Sequence, residues 1–97
     1  MNPMPFMLAR HRVADYGKWK KTFDSHASKR RELGSKGGRI FRNSEDRSEV
    51  MVLIEWGDLS KAREFTRWGD PEKIRRESGV IDEPDVYFMD SIDEFQS

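Results

Sequence analysis

The sequence contains no cysteine and only two histidines among its 97 residues. The first absence excludes disulfides, thiol nucleophiles and thiolate metal sites, and fits a cytoplasmic location. The second leaves His11 and His26, too far apart in sequence to form a recognisable ligand pair, so no metal site is expected. No Ser/His/Asp elbow and no nucleotide fingerprint occurs. Nothing approaches the run of about 20 apolar residues that a membrane span requires. The apolar piece Pro5–Ala9 is too short for a signal peptide and has no basic lead-in. Net charge is +0, with 18 basic and 18 acidic residues, which argues against sequence-independent nucleic-acid binding, since that needs a basic face. The local run Lys18–Lys21 followed by Lys29-Arg30-Arg31 reads as a solvated helix face. Leu, Ile, Val and Phe together number 20, near the lower edge for a self-sufficient core. Charged residues make up 37% of the chain, against roughly 25% in an average domain. The length fits one domain, 1–97, with loose tails at 1–5 and 91–97.

What is present is organised around Val50-Met51-Val52-Leu53-Ile54-Glu55-Trp56. Six of these seven residues are apolar, without polar alternation, which predicts a strand covered on both faces of its sheet. Phe6–Val13 predicts a first strand, with Met7, Ala9, His11 and Val13 facing helices and Phe6, Leu8, Arg10 and Arg12 facing outward. Asp15 is an N-cap for a helix over Tyr16–Leu33, whose stripe holds Tyr16, Trp19, Phe23, Ala27 and Arg30. Gly34-Ser35-Lys36-Gly37-Gly38 looks superficially like a phosphate loop. It follows a helix and precedes a strand, the reverse of the order such a loop needs.

Gly38–Asn43 predicts a second strand, and the polar turn Asn43–Ser48 leads into Val50–Trp56. Asp58 caps a helix over Leu59–Trp68 with Leu59, Ala62, Phe65 and Trp68 inward. Asp70-Pro71-Glu72 opens a short helix that Gly79 closes. Val86–Met89 predicts the last strand. This order is that of an α+β, ferredoxin-like βαββαβ domain with a four-stranded antiparallel sheet, the first and third strands central. Both helices then cover one face. The other face, with Met51, Leu53 and Glu55, predicts a homodimer formed through the sheet faces.

Three stretches resemble the small dimeric α/β-barrel proteins, the superfamily that includes antibiotic-biosynthesis monooxygenases and some polyketide cyclases. They are Arg10-His11-Arg12-Val13-Ala14-Asp15-Tyr16-Gly17-Lys18-Trp19, Glu55-Trp56-Gly57-Asp58-Leu59-Ser60-Lys61-Ala62-Arg63-Glu64-Phe65 and Pro84-Asp85-Val86-Tyr87-Phe88-Met89. The resemblance implies a cleft between helices and sheet for a small aromatic ligand, and chemistry without metal, flavin or other cofactor. Monooxygenase-like members often carry a histidine on the helix after the third strand, where this chain has Phe65. Haem-degrading members combine Asn, Trp and His, which this chain does not reproduce.

The candidate catalytic residues are therefore His26 and His11, as general bases toward an acidic phenol or enol. Trp19, Phe23, Phe65, Trp68 and Tyr87 are the candidate ligand-binding residues. Arg63 and Arg67 flank the second helix within reach of an anionic ligand. The competing reading makes the aromatics simple core, the histidines structural, and the protein a non-catalytic binding or stress-associated dimer with a filled interior.

Overall fold

The computed structural model describes residues 4–97. Eight elements follow one another: β1 (Met4–Arg12), α1 (Tyr16–Ser25), α2 (Ala27–Glu32), β2 (Ser35–Asn43), β3 (Asp46–Trp56), α3 (Leu59–Thr66), α4 (Pro71–Ser78) and β4 (Asp85–Ser91). The strands form one antiparallel sheet in the order β2-β3-β1-β4. The first and third strands are thus central in an α+β ferredoxin-like arrangement.

Register decides which residues meet the helices. Met7 pairs with Ile54, Ala9 with Val52 and His11 with Val50, and residues directly opposite share a face. On that face Met7, Val50, Val52, Ile54 and Trp56 are buried with Trp19, Leu33 and Ala62. Trp56 and Val50 have the largest fully buried side chains. Removing such a side chain from water contributes roughly 1.5–3 kcal/mol. The opposite face has no helix. It carries Phe6, Leu8, Met51 and Leu53 half-buried, and Phe41 and Tyr87 exposed.

Three of the four helices begin where a short acid accepts a backbone N–H; α2 begins at His26 without a side-chain cap. Asp15 accepts from Lys18 N, Asp58 from Ser60 N and Asp70 from Lys73 N, with Pro71 in the first turn. Gly79 ends α4 at φ 76°, a left-handed conformation that a side chain disfavours. Gly38 serves closeness instead: a Cβ there would fall 1.8 Å from the Leu53 carbonyl oxygen.

Several boundaries differ from the sequence reading. The long helix Tyr16–Leu33 is two helices broken at His26. Ser25 Oγ donates to the Thr22 carbonyl (2.6 Å), and His26 N donates to the Phe23 carbonyl (3.2 Å). Such back-bonding tightens and bends a helix. β2 starts at Ser35 rather than Gly38, so Gly37 too belongs to a strand, one with an irregular register. β3 starts at Asp46, which shortens the predicted polar turn to Ser44-Glu45. Met4 and Pro5 lie in β1 rather than in a loose lead; the rest of that lead, residues 1–3, lies outside the described residues. Ser91 belongs to β4, and residues 92–97 carry no regular structure, with Ile92 and Phe95 exposed. Among the described residues, no helix is long and apolar enough to cross a membrane.

Candidate functional site

The helices do not seal onto the sheet. A chamber of about 430 Å³ opens between α1, the end of α3 and α4. His11, Trp19, His26, Phe65 and Trp68 line it with Pro71, Ile74, Arg75 and Ser78. A smaller chamber of about 160 Å³ lies deeper, under α1 and α2 and over Met7, Ala9, Val52 and Ile54. His11, Trp19, His26, Phe65, Ile74 and Ser78 line both. The larger volume lies within the range of small-molecule sites, roughly 300–1,000 Å³.

Aromatic rings set the walls. His11 lies 5.3 Å from Trp19, and Trp19 stacks on Phe23 at 5.1 Å. Across the opening His26 meets Trp68 edge-on at 5.0 Å, and Phe65 stacks on Trp68 at 6.1 Å. The helical stripe Trp19–Phe23 and the inward parity of β1 bring these groups together.

His11 is 8% exposed, and its Nε2 is buried without a hydrogen-bond partner. An unmade hydrogen bond at a buried polar atom costs about 1–3 kcal/mol. Burial lowers the His11 pKa below its ordinary value; Asp82 opposes this and Arg10 adds to it. Burial also lowers that of His26, with Arg30 adding and Glu77 opposing. Both imidazoles are therefore neutral near pH 7 and able to accept a proton. A second unpartnered buried nitrogen, Trp56 Nε1, belongs to a residue that lines neither chamber.

At the mouth, Arg75 Nη1 reaches Glu83 Oε2 at 3.1 Å and Arg75 Nη2 lies 3.9 Å from Glu72, so the rim charges largely answer one another. The wall formed by Val80, Glu83 and Pro84 is tied to β1 by Asp82. Its carboxylate accepts from Arg12 N (2.8 Å) and from Arg10 Nη2 (3.0 Å). Arg10 also binds Glu49 and Asp85.

Of the residues named from the sequence, His11, His26, Trp19, Phe65 and Trp68 line the larger chamber, and Phe23 lines the smaller. Tyr87 does not join them. It pairs with Leu8 on the helix-free face and is 54% exposed, because β4 presents Val86 and Phe88 toward the helices. Arg63 stacks over Phe88 at 4.5 Å, and neither Arg63 nor Arg67 lines a chamber. Sequence reasoning passed over Ile74, Ser78 and Thr66; α4 read as a short polar helix, and only the spacing of Ile74 and Ser78 hinted at an inward face. Among the described residues, no group of three or more His, Cys, Asp or Glu side chains is placed to hold a metal ion.

No protein-family model matches this sequence, and no curated protein matches it either. Solved structures do. A candidate antibiotic biosynthesis monooxygenase from Bordetella bronchiseptica superposes with a TM-score of 0.76 at 14% identity, covering 93% of this chain and 98% of that one. A second such protein, from Caulobacter crescentus, gives a TM-score of 0.72 at 16% identity, covering 95% and 92%. This chain has their fold. A dimeric ferredoxin-like protein from an uncultured marine organism matches with a TM-score of 0.63 at 10% identity, covering 98% and 93%. The likeness spans nearly the whole of each chain and concerns architecture; function rests on the site.

Proposed function

We propose that this protein binds a small hydroxylated aromatic compound in the chambers between helices and sheet, with His11 receiving the hydroxyl proton. One observation carries the reading: a buried imidazole nitrogen, lacking any partner, lines an aromatic-walled space large enough for such a ligand. A ligand hydroxyl at Nε2 would supply the missing hydrogen bond, and the rings of Trp19, Phe65 and Trp68 would pack against a flat scaffold. Transfer of that proton to Nε2 leaves an electron-rich arenolate or enolate. The reaction class that fits is cofactor-free oxidation by dioxygen, or ring closure through the enolate carbon. His26, half-buried at the helix break, is the second base candidate.

The same reading includes association of two copies through the helix-free face. Its half-buried and exposed apolar side chains are a surface that a monomer rarely leaves uncovered. Burial of about 800 Å² per partner is ordinary for a stable dimer. The dimeric neighbour of similar fold supports this.

The test uses tryptophan fluorescence. Wild-type protein is expected to bind 2-naphthol more tightly than naphthalene, and His11→Phe to abolish that preference while still binding both. Equal affinity in the wild type, or a preference that persists in His11→Phe, rejects His11 as the proton acceptor. Turnover of a quinol-like substrate by His26→Ala then separates the two histidines: unchanged turnover removes His26 from the chemistry.

A further inference from the structure

The deeper chamber has one formal charge on its lining, and that charge has no carboxylate. Arg30 is 9% exposed, although arginine is among the residues least often buried without a counter-ion. Its Nη1 donates to the Phe23 carbonyl at 2.8 Å, and its guanidinium lies 3.7 Å from the centre of the Phe23 ring. No salt bridge to Arg30 exists among the described residues; Asp24, whose charge favours the guanidinium, is held by Lys20 at 2.6 Å. No Asp or Glu among the described residues lines the chamber. A guanidinium carries five N–H donors, and a backbone carbonyl occupies only one nitrogen here.

The cation also ends a row of flat groups. His11, Trp19, Phe23 and Arg30 succeed one another at 5.3, 5.1 and 3.7 Å, and all four line the deeper chamber. A slot walled in this way offers a proton acceptor at one end and an unpaired planar cation at the other. From this arrangement of Arg30, Phe23, Trp19 and His11 we infer that the chamber takes an aromatic carboxylate, its anionic group bound by Arg30. The planar fork of a guanidinium matches a carboxylate with two N–H donors, and such charge-assisted bonds are about twice as strong as neutral ones. Burial works in the same direction: it pushes the Arg30 pKa down, so a buried anion beside it stabilises the charged form.

This inference rests on the chambers being a ligand site, and it assigns the chemical class of what fills them. The experiment compares 6-hydroxy-2-naphthoate, its methyl ester and 2-naphthol by tryptophan fluorescence titration against the full chain. The free acid is expected to bind about tenfold or more tightly than the ester, as one charge-assisted contact allows. Arg30→Gln should remove that advantage, so that the variant binds acid and ester alike. Arg30→Lys, which keeps the charge but not the fork, should retain part of it. The wild-type comparison needs no variant, so a misfolded Arg30→Gln does not spoil the test. In parallel, the Arg30 side-chain Nε–H resonance, assigned by its loss in Arg30→Lys, should shift on adding the acid and not the ester. Acid and ester binding alike while 2-naphthol still binds overturns the Arg30 inference alone. Failure of all three to bind overturns it together with the ligand site.

Discussion

At the residue scale, His11 is the point where stability and function pull apart. A buried, unpartnered Nε2 weakens the fold, so a flat apolar ring, with the chambers beside it to take its extra volume, should relieve it. His11→Phe is expected to leave stability unchanged or raise it by about 1 kcal/mol. Urea unfolding at pH 7 checks this, and a loss larger than about 1 kcal/mol would show that the imidazole makes bonds the structure does not contain. The folded-state pKa of His11 lies below its unfolded value, so unfolded chains gain a proton first as pH falls. Wild-type stability should therefore be complete above about pH 6.5 and decline as pH drops toward the folded pKa. His11→Phe should flatten this stretch, leaving the part due to His26. His11 itself was legible from strand parity, and Trp19, Phe23 and Phe65 from helical spacing. Tyr87 was not, because Tyr87-Phe88 places two aromatics side by side and only pairing with β1 decides which one turns inward. Arg30 was legible as a stripe position but not as a chamber cation; sequence cannot show that no acid reaches it.

Elements explain how the chamber keeps its shape. The break at His26 frees the chain to turn α2 over the deeper chamber, and Arg30 reaches back to the Phe23 carbonyl near that break. Neither proline nor glycine marks the site, which is why periodicity alone predicted one long helix. The strap after α4 is the other device. Asp82 joins it to β1 through a backbone N–H and two guanidinium groups. Asp82→Ala should accelerate proteolytic cleavage within residues 80–85 under native conditions and weaken ligand binding, with the helices unchanged by circular dichroism. Cleavage at the wild-type rate would show that the strap is held by Val13–Val80 pairing instead. The carboxyls of Asp46, Glu49 and Asp82 are all held below the usual range: Ser48 leads for Asp46 and Asn43 for Glu49, and backbone and arginine bonds outweigh burial for Asp82. Their contribution to stability is present above about pH 4 and fades as pH falls through the folded values. This is a second acid transition, separate from that of the histidines. The caps Asp15 and Asp58 were readable because each precedes an apolar stripe, and Asp70 because Pro71 and Glu72 follow it.

Across the whole molecule, the two-sided character of Val50–Trp56 predicted both the central place of β3 and the unequal covering of the sheet. The topology was legible because only one strand order lets two right-handed crossovers cover the same face. The size of the interior space was not, since periodicity reveals which faces turn inward and not how tightly they close. For association, Leu53→Arg places a charge in the middle of the helix-free face. It is expected to convert a dimer to a monomer in sedimentation at micromolar concentration while leaving aromatic ligand binding intact. A wild-type protein that sediments as a monomer would exclude pairing through this face.

All the helices sit on one side of the sheet, and this sets how two copies would share work. Joined across their bare sides, the copies would carry their ligand rooms back to back, each door facing away from the other. Occupancy of one would neither block nor prime its twin, and saturation would follow a simple hyperbola with a Hill slope of one.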